Sequence, residues 1–469
     1  MRSKLKKFTE FANTLLPHET AFLLSSQQFV DEEKLAILKQ VDYNCRNIDQ
    51  FTPYDDTIDK RKFSNLKNWI TDRLNAIDVD AFFEWIIEME RKIMTDSIHL
   101  KEEKQLLKAI RNHRHPIAYF TKFYELVRSY DHFLLIRLRY EDHAITDHFL
   151  TEHKDQYLRV VAVNEQMHQA TQDIVQQYSN SVAESKQWEE WLNQVFSDES
   201  MDGLNRYMAL IRLSFIGFNY NKFGLLLEKF NYLDEKFTQG FFYSKRILLN
   251  YYNNRLLLHS RFNEYDLAIY YGYLSIRKKN HDYIFYVNNL CAVLLRQHRN
   301  EEALKLMRKA APEMKVTKNF HNKIGYVAFY IKALNSNNLS KNAENYADTF
   351  LKAYEKEVLR FRWHLFFSVY LETLLFRKNH MKLLNLARKY KLPEKDKIYQ
   401  ARANYLPVIP WLIGLANYRS ELITKKELIL TLKESTEQLS DAQKSLPSFK
   451  NLVEDFKVFI PEITNLLIV

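Results

Sequence analysis

Glycine is nearly absent from this chain, with 7 in 469 residues and none before Gly203. Sheets use glycine in hairpin turns and bulges, and nucleotide-binding α/β folds use it in phosphate loops, so both classes are disfavoured and helices joined by short polar turns are expected. Proline is also sparse, at 9 residues. The 2 cysteines, Cys45 and Cys291, exclude a disulfide framework and a cysteine-built structural zinc site. Cys291 lies in an apolar helical run and reads as a small buried hydrophobe. The longest apolar stretch, residues 406–417, falls far short of the roughly 20 residues a bilayer requires and contains Pro410. The basic start from Met1 to Lys7 is not followed by a signal-peptide core, because Glu10, Asn13 and Pro17 interrupt it. A reducing cytoplasm without a membrane partner is the expected setting.

Catalytic signatures are lacking too. The sequence contains no glycine-rich phosphate loop, no nucleophile elbow and no HExxH pattern. His143 with Asp147, and His148 with Glu152, stand four apart and pair on a helix surface. Five residues at about 100° each turn the two pairs away from one another, so one helix cannot close a metal cage from both. In His113-Arg114-His115-Pro116 the two histidines would point to opposite sides of a helix, and a helix-entry turn is expected instead. The expectation is a non-enzymatic protein with no cofactor and no metal.

What the chain does have is apolar material, 46% of residues with 14% aromatic, and a divided charge. Residues 1–200 carry 26 Lys and Arg against 33 Asp and Glu; the remainder carries 42 against 25. The basic part therefore either meets an acidic partner, attracts the acidic part, or is a lysine-rich solubilising surface.

Along the chain, Asp31 followed by Glu32 and Glu33 marks a helix start, and the loop around Pro53 is a first boundary. Asp80 is placed to cap a helix whose Phe82, Phe83, Ile86 and Ile87 share one face. Residues 117–140, after Pro116, are rich in aromatics and leucine and should form the centre of an N-terminal core. The cap-rich cluster from Ser197 to Gly203 coincides with the change in charge sign, which sets the main boundary there. Asn221, Asn263, Asn300, Asn338, Asn379 and Asn417 follow at intervals of 42, 37, 38, 41 and 38 residues. Asparagine tolerates left-handed backbone angles, so these positions are expected to reverse successive helices.

The stretch from Ile247 to Pro312 repeats itself. Tyr251-Tyr252-Asn253-Asn254 returns as Tyr286-Val287-Asn288-Asn289, and the segment around Ala268 returns around Ala303, both at an offset of 35 residues. Leu290, Cys291 and Leu294 in a first helix, then Ala303, Met307 and Ala310 in a second, with Pro312 near its end, resemble a tetratricopeptide repeat. Before it, Tyr265, Ala268 and Ser275 match the second helix, while Arg255 and His259 occupy positions the family prefers apolar. Ala343, Ala347 and Phe350, then Leu383, Ala387 and Tyr390, repeat the second-helix pattern with growing divergence. The resemblance implies an all-α chain: an N-terminal helical domain over 1–200, a tetratricopeptide-like superhelix over 203–440 and a capping helix over 441–469. The tail supplies Phe449, Leu452, Phe456, Phe459 and Ile460, and then Leu466 to Val469, for that cap; a detachable docking peptide is the other reading.

The resemblance further implies that Asn253, Asn254, Asn288 and Asn289 face a groove and bond the backbone of an extended peptide, with Arg261 and Arg296 adding charge. The same asparagines could equally satisfy neighbouring helices. A second tract, Arg377, Lys378, Lys382, Arg388, Lys389 and Lys391 with Tyr390 and Tyr399 interleaved, suits phosphates and unpaired bases, or is a solvated turn. The leading expectation is a scaffold or adaptor that binds an acidic or extended segment of another protein in a basic concave groove. RNA binding through the second tract is the alternative from another class. The third is a regulator whose acidic N-terminal part rests on the solenoid until a ligand separates them.

Overall fold

A computed structural model describes residues 5–113, 117–180, 185–220, 222–402, 405–445 and 447–461. Among them the secondary structure is helical and no strand occurs. No described helix is long and apolar enough to cross a membrane. The chain divides into two compact units, Met1–Lys278 and Lys279–Val469.

The first unit contains α1 (Lys6–Ala12), α2 (Pro17–Ser26), α3 (Glu32–Arg46), α4 (Lys60–Ile77), α5 (Val79–Met94), α6 (Leu100–Arg111), α7 (Phe120–Ile136), α8 (Tyr140–Glu152), α9 (Lys154–Asn180), α10 (Glu189–Ser197), α11 (Gly203–Asn219), α12 (Phe223–Thr238), α13 (Lys245–Arg261) and α14 (Tyr265–Ser275). Asp31 caps α3 as expected, accepting from the amides of Glu33 and Lys34. The cap of α5 is Asp78 rather than Asp80. Asp80 sits in the first turn, where its carboxylate takes the Arg246 guanidinium at 2.8 Å. The aromatic centre is α7, with Phe120, Phe123, Leu126, Val127 and Tyr130 buried. Pro116, Arg114 and His115 lie outside the described residues, as do Asn221 and Leu466 to Val469.

The compact units divide 75 residues beyond Gly203, where composition and charge sign change, and the reason is a buried polar network. Helix α2 packs on α12, and its Glu19 is fully buried. Glu19 accepts from the Leu16 amide at 2.8 Å, the Tyr243 hydroxyl at 2.6 Å and the Lys245 ammonium at 2.6 Å. Beside it, His18 bonds the Tyr252 hydroxyl at 2.6 Å and Asp234 at 2.9 Å. Burial works against the ionised Asp234, but the His18 hydrogen bond, with Tyr251 and Arg255, outweighs it and holds the carboxyl down at about 2. Arg277 reaches back to the carbonyl oxygens of Leu15 and Cys45, both at 2.5 Å. Charges buried in this way are stable only as a satisfied set, so the N-terminal helices and α12–α14 form one core.

The second unit contains α15 (Tyr283–Arg296), α16 (Asn300–Val316), α17 (Phe320–Ser336), α18 (Ser340–Phe361), α19 (Trp363–Phe376), α20 (His380–Lys389), α21 (Leu392–Tyr399), α22 (Val408–Arg419), α23 (Lys425–Glu437), α24 (Asp441–Lys444) and α25 (Pro447–Phe456). Helix α15 packs on its partner α16 and on α17; α17 packs on α18 and α19; α19 packs on α20 and α22; α22 packs on α23. Ala303, Met307, Ala310, Ala343 and Ala347 are fully buried, as expected of small and slim residues where paired helices approach.

Each hairpin turns on the same device. After α15 the left-handed residue is His298 (φ 55°), after α17 Asn338 (59°), after α19 Lys378 (57°) and after α22 Glu421 (58°). In each turn the next amide bonds a carbonyl five residues back: Arg299 to Leu294, Leu339 to Leu334, Asn379 to Leu374, Leu422 to Asn417, all at 2.9 Å. This is the Schellman closure, which satisfies carbonyls that a helix end leaves open. In the first unit Asn263 (φ 61°) closes α13 in the same way. Asn263 and Asn338 are thus turn residues as expected. Asn300 instead begins α16, Asn379 follows the left-handed Lys378, and Asn417 stays inside α22.

Two stability changes are expected. Glu19→Ala leaves the Lys245 ammonium and the Tyr243 hydroxyl without their acceptor and should destabilise the first unit by about 3–5 kcal/mol in denaturant unfolding. Lys378→Gly relieves a left-handed side-chain conformation and should stabilise the full chain by about 0.5–1 kcal/mol once the greater unfolded entropy of glycine is counted.

Candidate functional site

The polar residues singled out in the repeated stretch divide by accessibility. Asn253 on α13 and Asn288 on α15 are 1% and 4% exposed. The Asn288 amide donates at 3.0 Å to the carbonyl oxygen of Asn322 in the first turn of α17. It thereby ties one hairpin to the next, and a peptide could reach this side chain only by parting the two helices. Asn254 donates to the carbonyl and side-chain oxygens of Asn250, both at 3.0 Å. Asn254 and Asn289 are half-buried, while Arg261 and Arg296 are exposed.

In the basic tract, Arg377 pairs with Glu344 at 3.3 Å, and Lys382 with Glu344 at 2.8 Å and Asp348 at 2.6 Å. Lys389 lies 3.9 Å from Glu355, which also accepts from the Tyr390 hydroxyl at 3.1 Å. Acids of α18 therefore neutralise much of this tract. Tyr390 is buried, and Tyr399 is stacked on His364 with ring centres 4.3 Å apart. Lys378, Arg388 and Lys391 remain exposed, without a free aromatic ring between them. Among the histidines, His143 pairs at 3.2 Å with Asp131 of α7 rather than with Asp147, and His148 lies 3.6 Å from Glu152 on an exposed face.

The most developed surface arrangement in the second unit involves its C-terminal segment. Phe449, Leu452 and Phe456 recur at i, i+3 and i+7, which places them on one face of α25. Trp411 of α22 meets Phe456 edge-on at 5.0 Å and Phe449 at 6.3 Å. Phe376, at the end of α19, meets Phe459 at 5.0 Å. The Arg419 guanidinium donates to the Phe459 carbonyl oxygen at 3.1 Å. Further upstream, the Lys332 ammonium of α17 bonds Asp455 at 3.1 Å. The segment thus touches α17, α19 and α22, the first helices of three successive hairpins, and is not confined to the last. A cavity of about 130 Å³ continues beside Phe459, Ile460 and Pro461, between Arg419, Lys425 and Leu428.

Electrostatics marks one spot on this surface. Burial raises the Glu372 carboxyl of α19; Lys332 opposes the rise and Asp455 adds to it. Burial opposes the charge on Lys332, but Glu372 and Asp455 outweigh it and raise the ammonium above its ordinary value. One cation is shared by two carboxylates, of which only Asp455 belongs to the docked segment. Lys332 and Glu372 stand 40 residues apart, each six before a left-handed turn residue (Asn338 and Lys378). That shared register was the available sequence signal. The 35-residue offset, taken from the preceding hairpins, does not align them.

No protein-family model, no curated protein and no solved structure matches the chain.

The pH dependence of this contact has a definite sign. Asp455 of the segment adds to the rise of the Glu372 carboxyl, and that part binds more protons in the docked than in the undocked state, so docking is favoured at low pH and loses this contribution as pH rises from the ordinary 4.5 through the raised value. Amide exchange across residues 452–456, corrected for intrinsic rates, should therefore quicken as pH rises through this window, and Glu372→Gln should flatten the profile.

Proposed function

We propose that the second unit is a tetratricopeptide-like solenoid acting as a protein-interaction module, and that its partner is an acidic, amphipathic segment of another protein. The observation that carries this reading is the way α25 is seated. The segment lies across three successive first helices, inserts aromatic side chains beside Trp411 and Phe376, and sets one carboxylate on Lys332. In helical-repeat arrays the first helices of the hairpins line the concave face, and an apolar stripe with fixed polar contacts is the usual way such a face holds a helix.

The chain's own tail then serves as a template for the partner. Aromatic or aliphatic residues at i, i+3 and i+7 with an acid one position before the last match the pattern of Phe449, Leu452, Asp455 and Phe456. Charge supports the same partner, since residues beyond 200 carry 42 basic against 25 acidic groups. The exposed Arg296 lies near enough to act electrostatically on Lys332, which extends the positive surface toward α15. The buried Asn288 contributes by holding hairpins together, through its bond to the Asn322 carbonyl.

The reading is tested by removing residues 445–469 and adding them back as a labelled peptide. The truncated chain should bind the peptide saturably, and the full chain at least about tenfold more weakly because its tail competes, a difference of about 1.4 kcal/mol. Lys332→Glu should weaken peptide binding, and an Asp455→Lys peptide should recover part of the loss. A truncated chain that loses its cooperative unfolding would show the segment to be core, and the proposal would fall.

A further inference from the structure

Within the first unit a cavity of about 420 Å³ opens where the α4–α5 turn, the segment before α7, the α10–α11 loop and the α12–α13 loop converge. Its size is that of a small-molecule site, for which about 300–1,000 Å³ is usual. Backbone hydrogen bonds frame it. The Val79 amide bonds the Tyr243 carbonyl at 2.9 Å, and the Leu204 amide bonds the Ala118 carbonyl at 3.1 Å, so two pairs of chain segments distant in sequence are fixed at its edges. Ile77, Phe82 and Met201 give it apolar walls.

The polar groups along the wall are unequally engaged. Asp78 already caps α5, accepting from the Asp80 and Ala81 amides at 2.9 and 3.4 Å. Glu199 accepts from the Tyr232 hydroxyl at 2.9 Å and lies 3.7 Å from Lys236. Arg206 is different. It is 5% exposed, donates through Nε to the Phe196 carbonyl at 2.9 Å and through Nη2 to the Tyr232 hydroxyl at 2.7 Å. Its Nη1 has no acceptor among the described residues. A guanidinium has five donors, and those left over on Nη1 open on the cavity, beside the Glu199 carboxylate that the same guanidinium holds down, where the oxygens of an anion can take them.

A second observation points to the same place. Gly240 (φ 84°) closes α12 in a left-handed turn where any side chain would meet the Phe22 ring at 2.8 Å. Two residues on, Phe242 is also left-handed, at φ 58°, and no helix end requires it. That conformation is strained for a bulky L-residue, because Cβ crowds the following carbonyl oxygen. Its result is that the Phe242 ring lies 5.4 Å from the Arg206 guanidinium and against Gly203, while Phe241 is left 57% exposed at the cavity. Backbone strain of this kind collects where a ligand is held.

We propose that this cavity binds a small amphipathic monoanion, with its carboxylate on Arg206 Nη1 and its apolar body between Ile77, Phe82 and Met201. The site belongs to the first unit and is independent of the peptide-binding reading of the second.

The test uses the full chain with three eight-carbon probes, octanoate, octanol and octylammonium, followed by calorimetry and thermal unfolding. Octanoate should bind saturably at one site and raise the unfolding temperature, with the other two at least about tenfold weaker. Ala118→Leu, which fills the cavity from a half-buried position, should abolish octanoate binding while the unliganded chain unfolds as before. Arg206→Lys should erase the preference for octanoate over octanol; if that variant does not fold, Ala118→Leu decides. Equal affinity for the three probes, no saturable binding of octanoate, or binding that survives Ala118→Leu would each overturn the proposal.

Discussion

The second unit is governed by the fact that the first helix of each hairpin is apolar nearly all round. In α15, Tyr286, Leu290, Cys291 and Leu294 are fully buried; in α19, Phe366, Phe367, Tyr370, Leu371 and Leu374 are; in α22, Ile409 and Trp411 are. A helix with a single apolar stripe is satisfied by one neighbour, whereas one with apolar residues on every side requires cover on each. The partner helix and the adjoining hairpin supply two sides. On α22 and at the end of α19 the third side is supplied by residues 449–460, through Trp411 and Phe376. The tail is therefore placed by the same requirement that stacks the hairpins, and its acidic Asp455 fixes its register against Lys332.

How much of this was legible depended on whether a residue's identity carried its structural reason. Ala303, Ala310, Ala343 and Ala347 could be read as helix-crossing positions because only a small side chain allows the approach, and all four are fully buried. Asn263 and Asn338 could be read as turns because asparagine tolerates left-handed angles. His298, Lys378 and Glu421 could not, because the helix end imposes the conformation and the side chain has no preference for it. Two of the repeated asparagines were legible as a register but not as a surface. A periodic polar residue marks one side of a helix without saying whether that side meets solvent or the next hairpin, and Asn288 meets the Asn322 carbonyl.

The first unit shows a different limit. A change in charge sign near Gly203 is a property of composition, while the extent of a compact unit is set by which groups must be buried together. Glu19 and Lys245 are 226 residues apart, and His18 and Tyr252 are 234 apart. No local pattern announces such pairs. Once formed, they make the acidic N-terminal helices and α12–α14 inseparable, because a buried carboxylate without its cation would cost more than the rest of the contact returns.

The short span between the two polar anchors of the tail has a mechanical consequence. Asp455 is held by α17 and the Phe459 carbonyl by α22, so five residues tie the second hairpin of this unit to the fourth. Stacked hairpins otherwise touch only their neighbours and flex as a spring does, with small rotations adding along the stack. In the stack proposed above, a tie across three hairpins would act as a strut, stiffening it while in place and letting its curvature change on release.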